Sequence, residues 1–252
     1  YAQPLEFETA SGRVGWQIDT KTKTAYVNSN RLQFANGDEV ANGYMHLRLP
    51  TVRDGREPHM TLAIGVEKAP LSVHRKFVPQ TIPKNLHKWL GESIGEGTAT
   101  NMAFTFHGSI KKNPKIKPSI QFSADIHDAN LAFDKNWPEL KHVNGRLELA
   151  NNRLDAQVKQ ATLLGNQVSD AQVRLIENPN DDGMALSIRG DLKSNAAVAM
   201  ELLQNSPVRS VFGSTFDSWS FGGNVSAAIA LQIPLKPGAE GTRQSVQVDF
   251  NQ

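Results

Sequence analysis

Apolar and polar residues alternate at period two along most of the chain. The alternation is clear at Met45, Leu47 and Leu49; at Leu62, Ile64 and Val66; at Met102, Phe104 and Phe106; and at Ile120, Phe122, Ala124 and Ile126. It returns at Leu147 and Leu149, at Leu186 and Ile188, at Ile229, Leu231 and Ile233, and at Val246, Val248 and Phe250. Successive side chains of a strand point to opposite faces, so this period predicts antiparallel strands with one apolar face. Turn-forming pairs punctuate the runs: Asn36-Gly37-Asp38, Asn42-Gly43, Arg53-Asp54-Gly55, Asn144-Gly145, Asn151-Asn152 and the stretch from Asn178 to Gly183. The pattern predicts a meander in which each strand pairs with the next.

Two segments change period. In PKNLHKWLGESI, Leu86, Trp89, Leu90 and Ile94 recur at helical spacing, with Pro83 suited to a first turn and glycines to follow. In SNAAVAMELLQNSPV, Ser194 is placed as an N-cap, Val198, Leu202 and Leu203 form the apolar stripe, and Ser206-Pro207 starts a second short helix. Each helical segment leads through glycines into an alternating strand. This repetition divides the chain into a first β-rich unit at 1–115 with its helix near 83–94, and a second at 116–252 with helices near 195–213. The two units either remain distinct or join in one continuous sheet.

Trp137 stands directly before Pro138. A residue before proline favours extended backbone and proline cannot donate to a ladder, so the pair predicts a strand end whose indole folds back over the sheet.

Charge adds little to this picture: 27 lysines and arginines nearly balance 25 aspartates and glutamates. Nothing here argues for a nucleic-acid partner. The absence of cysteine excludes disulfides and thiolate metal sites, and suits either a reducing cytosol or a periplasm. No signal peptide or long apolar run is present, so a soluble piece of a longer protein is expected, with any anchor outside it.

Candidate chemistry is sparse. GESIG, Gly91 to Gly95, matches the letters of a nucleophile elbow around Ser93, but that motif needs strand before and helix after, whereas here a helix precedes and a strand follows. The histidines at 46, 59, 74, 87, 107, 127 and 142 form no metal-ligand spacing, leaving only a constellation of His107 with Asp125, His127 and Asp128 across strands. Asp181-Asp182-Gly183 lacks calcium-loop spacing, and no phosphate-binding glycine motif occurs. The basic loop KKNPKIKP at 111–118 reads as a solvated turn, with a phosphate or lipid-headgroup site as the alternative. No catalytic residue, metal ligand or cofactor is expected, and the chain is not expected to be an enzyme.

The run from Phe122 to Glu177, followed by LSIRGDLKSNAAVAMELLQNSPV, resembles the YhdP family of AsmA-like proteins from Gram-negative bacteria. The resemblance is carried by Phe133 and Trp137-Pro138, by V-x-G-x-L at Val143 to Leu147, and by L-x-x-S-P at Leu203 to Pro207, with Trp89-Leu90 and F-x-F-H-G at Phe104 to Gly108 upstream. It implies a periplasmic protein, anchored in the inner membrane by a segment absent from this chain. Its long β-meander would curl into a groove and carry phospholipids between inner and outer membranes, supporting the outer-membrane barrier. Expected partners are phospholipid acyl chains, with both membranes reached through regions outside this fragment.

Physical chemistry, taken without the resemblance, leaves either a sandwich or a lipid-filled groove. A sheet with one apolar face must cover it with a second sheet, helices or a ligand, and the helical segments here cover only part of it. Phe104, Phe106, Ile120, Phe122, Ile126, Leu147, Leu149, Leu186, Ile188, Ile229, Leu231 and Ile233 are the candidate lipid-lining residues. The competing readings are a dry β-sandwich that binds protein or carbohydrate, and a hydrolase built on Ser93 or a carboxylate pair.

Overall fold

A computed structural model describes residues 6–77, 84–111, 114–151, 153–177, 184–207, 209, 222–234 and 243–251. Its strands are β1 (Thr9–Asp19), β2 (Thr24–Asn36), β3 (Glu39–Pro50), β4 (His59–Pro70), β5 (Thr98–Ser109), β6 (Ser119–Leu131), β7 (Leu140–Ala150), β8 (Arg153–Leu163), β9 (Asn166–Glu177), β10 (Met184–Asn195), β11 (Asn224–Pro234) and β12 (Arg243–Asn251). They form one antiparallel sheet in sequence order, with β1 and β12 at its edges. The sheet runs unbroken through β5 and β6, on either side of residue 115. Each strand packs extensively only against its sequence neighbours, so among the described residues no second sheet covers the apolar face. The result is an open, curled sheet rather than a sandwich.

The helices gather at one end. A 3₁₀ turn (Leu71–Val73), α1 (His74–Phe77) and α2 (Lys84–Ser93) connect β4 to β5, and α3 (Ala196–Gln204) follows β10. The imidazole of His74 sits between the carbonyls of Leu71 and Leu90, at 2.6 and 3.0 Å, and ties α1 to α2. The Gly95 amide donates to Asn130 O, the Asn130 amide to Glu96 O and the Ala132 amide to Ser93 O, fastening the end of α2 to β6. Buried apolar residues collect beneath these elements: Ala129, Val143 and Ala161 form one cluster against Leu71 and Leu140, and Leu163, Leu192 and Leu202 form another. Trp137, in the β6–β7 connection, packs on the second cluster and lies 5.9 Å from the Phe133 ring. The indole does fold back over the sheet, and β7 begins two residues after Pro138.

Several turn and cap expectations are corrected. Asn42-Gly43 and Asn144-Gly145 lie inside β3 and β7 rather than in turns. Both glycines serve a close approach: an added Cβ would strike the Ala63 carbonyl at Gly43 and the Gln157 carbonyl at Gly145. Asn144 serves a bulge, accepting from the Asp128 amide and donating to His142 O. The α3 cap is Asn195, whose side chain accepts from the Ala197 amide at 2.9 Å, because β10 continues through Ser194. Pro83, the turn at 178–183 and most of the helix expected after Ser206 lie outside the described residues.

A band of bulges crosses the sheet. Asn101 in β5, Asp128 in β6, His142 in β7 and Asp170 in β9 all have positive φ, between 50 and 54°, where the pairing register jumps or its partner strand does. An extra residue reverses face parity and increases local twist. The apolar face therefore continues beyond the band on residues of the other parity, from Ile126 to Ala129 and from Val158 to Ala161. The band separates the helix-covered end from the remaining length of the strands.

A candidate apolar groove and its polar outer face

Register, rather than any single residue, builds the candidate site. Cα partners in an antiparallel ladder project to the same face. One row runs Ile64, Phe104, Phe122, Leu149, Leu154 across β4 to β8. Its neighbour pairs Leu62 with Phe106 and Phe106 with Ile120. A third passes from Ala124 through Leu147, Ala156, Val173 and Ile188 to Leu231. Leu175, Leu186 and Ile233 align beside it, while Ile126 pairs with Gly145 and Ile229 with Gly190. All twelve candidate residues thus share one face.

Their surroundings differ. Ile126 and Ile229 pack against the helix-covered clusters, and Leu231 is 7% exposed. Ile120 is 37% exposed, and Phe104, Phe106, Phe122, Leu147, Leu149, Leu186, Ile188 and Ile233 are half-buried. Half-burial is the expected condition of a side chain flanked along its own sheet with nothing packed above it. Leu62, Ile64, Leu154, Val158, Val173 and Leu175 occupy the same rows but were not among the candidates. Alternation in Leu154-Ala156-Val158 and Val173-Leu175 is the signal that would have found them. At the β1 edge the face ends on Trp16, which pairs with Val27 and is 77% exposed.

The opposite face carries an ionic ladder. Arg146 donates to Asp125 and to Glu148, each at 2.8 Å, and Asn101 donates to the other Asp125 oxygen at 2.8 Å. Arg174 meets Asp155 at 3.1 Å. The Asn101 amide, then the Arg146 guanidinium, hold the Asp125 carboxyl below its usual range against some desolvation. A carboxyl depressed in the native state stabilises above its unfolded pKa, and that stabilisation disappears as pH falls through the native value. The urea midpoint is therefore expected to be flat above about pH 5 and to fall toward pH 2, with a shallower acid limb in Asp125→Asn. An identical limb in both proteins would remove Asp125 from the account.

The proposed histidine constellation does not assemble. His107 pairs with Ser119 and bonds Thr61 at 2.9 Å, whereas His127 lies at the far end of the same ladder and bonds Thr100 at 2.8 Å. Among the described residues no group of three or more metal-ligating side chains occurs. Ser93 is the last residue of α2, 5% exposed, with a β-strand next in the chain. No helix among the described residues is long and apolar enough to cross a membrane.

These features define a class: an open antiparallel β-meander that presents one continuous apolar face and caps one end with short helices. The YhdP family model, described as YhdP protein, matches residues 1–252, and the chain belongs to that family. It is similar to the "Intermembrane phospholipid transporter YhdP" of Escherichia coli (strain K12), with 24% identity over 182 residues. That match covers 71% of this chain and 14% of the relative, so the chain corresponds to a small part of the relative's length. No solved structure matches.

Proposed function

We propose that this chain is a segment of a periplasmic lipid-transfer protein, anchored in the inner membrane elsewhere, and that its apolar face carries phospholipid acyl chains between the two membranes. The observation that carries the reading is the continuous apolar face from β4 to β11 with no second sheet above it among the described residues. The named role of the E. coli relative supports it. Stranding an acyl chain of about 16 carbons in water costs on the order of 10 kcal/mol at about 0.8 kcal/mol per methylene. A carrier must therefore supply continuous apolar contact, and a strand face does so while its backbone bonds stay within the sheet. Such a surface needs no catalytic residue. The twelve candidates are its lining, with Ile126 and Ile229 at the margin of the helix-covered end.

Native mass spectrometry of this chain purified from a Gram-negative host tests the reading. Co-purifying phospholipid, identified after extraction, is the expected result. A folded, lipid-free chain that also takes up no phospholipid when incubated with it would overturn the proposal.

A further inference from the structure

Charge is distributed unevenly between the two ends of the strands. At the helix-covered end, the described connecting residues carry six lysines and arginines (Arg75, Lys76, Lys84, Lys88, Lys135 and Arg209) and six carboxylates (Asp38, Glu92, Glu96, Asp134, Glu139 and Glu201). At the other end, the connections of β1 to β6 carry Lys21, Lys23, Arg53, Arg56, Lys111, Lys115 and Lys117 among the described residues, against only Asp54 and Glu57. The whole chain has a formal charge of only +2, so this end holds a local excess that the rest of the molecule offsets.

The two longer connections there are fastened together. Glu57 accepts from the Lys115 amide at 3.2 Å and lies 3.8 Å from Lys111 Nζ. Asp54 is engaged by Arg56 at 2.7 Å. Among the described residues no ion pair engages Lys21, Lys23, Arg53, Lys115 or Lys117. The same end exposes apolar side chains: Ile116, between Lys115 and Lys117, is 82% exposed, and Val52, Ile110, Ile120 and Ile18 are also exposed. Cations beside exposed apolar groups match the chemistry of a lipid whose phosphate meets its acyl chains.

We infer that this end of the sheet is a basic lip that holds the headgroup of a phospholipid with net negative charge, through Lys111, Lys115 and Lys117. The inference rests on the groove reading: acyl chains lie against the apolar face, pointing along the strands, and the headgroup stops at the strand ends. It adds headgroup selectivity, which an apolar face alone does not provide.

The test loads the chain from an equimolar mixture of phosphatidylglycerol and phosphatidylethanolamine with identical acyl chains and reads bound species by native mass spectrometry. Phosphatidylglycerol is expected to exceed phosphatidylethanolamine about fivefold at about 50 mM salt, and to fall toward parity at about 0.5 M as screening shortens the reach of the lysines. The triple variant Lys111→Gln, Lys115→Gln, Lys117→Gln is expected to lose the preference through a fall in bound phosphatidylglycerol, while phosphatidylethanolamine is still bound. Lipid bound without preference, or a preference that survives the triple variant, overturns the lip and leaves the groove intact. Failure to bind either lipid overturns the groove itself. Inorganic phosphate that abolishes the preference at equimolar concentration assigns the lysines to a free phosphate ion, and attachment to phosphatidylglycerol vesicles without single-lipid loading assigns them to a bilayer surface. Either result overturns the headgroup reading.

Discussion

Phe122→Asp is expected to leave the sheet folded and to reduce phospholipid loading at least tenfold. Phe122 is half-buried, paired with Phe104 on one side and Leu149 on the other, and belongs to neither helix-covered cluster. In the empty protein an aspartate there keeps water above it, so the cost is the lost packing of one partly buried ring, about 1–2 kcal/mol. In the loaded protein the same carboxylate faces acyl chain. An unpaired charge against hydrocarbon costs several kcal/mol, and about 1.4 kcal/mol already corresponds to a factor of ten in binding. Circular dichroism with a urea midpoint reports folding, and native mass spectrometry reports lipid. Phe122→Leu is the control for lost aromatic area and is expected to load normally. Loading by Phe122→Asp at the level of the unaltered chain would show that lipid does not lie along this row.

Much of this architecture is legible from alternation, and the failures have a shared cause. β3 to β7 and β10 to β12 show period two in the sequence because their apolar residues keep one parity over several positions. β2, β8 and β9 do not stand out. In β2 the register shifts between Ser29 and Leu32, and in β8 the apolar face passes from Val158 to Ala161, so each strand reads as two short fragments out of phase. β1 is an exposed edge strand, and only Val14, Trp16 and Ile18 mark its apolar side. The bulges also misled turn assignment: Asn144-Gly145 has the letters of a hairpin, but its residues serve a register shift and a close strand approach. The short turn at Leu164-Gly165 went unmarked because leucine rarely occupies positive φ, which here is 47°.

The same band explains why the candidate face could be listed but not subdivided. Periodicity says which residues share a face and is silent about what lies above it. That depends on α2, α3 and the Trp137 connection all arriving at one end, a consequence of strand direction: connections after even-numbered strands lie at one end of a meander and those after odd-numbered strands at the other. The helices follow β4 and β10 and the Trp137 loop follows β6, so all three cover the same end. The basic connections follow β1, β3 and β5, at the opposite end. Burial also varies between neighbouring positions of the face. Alternation groups Leu231 with Ile233, yet Leu231 is 7% exposed, and a charge there acts on folding rather than on lipid loading alone.

Val143→Asp is expected to unfold the chain, in contrast to Phe122→Asp on the same face. Val143 pairs with Ala129 beyond the bulge at Asp128, is 7% exposed, and sits in the cluster with Ala161 that Leu71, Leu131 and Leu140 surround. The side chains packed on Val143 in this cluster are apolar, so an aspartate there loses its water against hydrocarbon. The expected loss is about 4 kcal/mol or more, a large part of the roughly 5–15 kcal/mol that holds a domain together. Urea titration followed by tryptophan fluorescence suits the measurement, because Trp137 packs on the adjoining cluster and reports its opening. The comparison of the two aspartates carries more than either alone. If Phe122→Asp loses as much stability as Val143→Asp, the whole face is a closed core and the groove is wrong. If Val143→Asp remains as stable as the unaltered chain, the helices do not seal their end of the sheet. Unfolding at 143 with a folded, lipid-free protein at 122 is the outcome that an open groove with one sealed end requires.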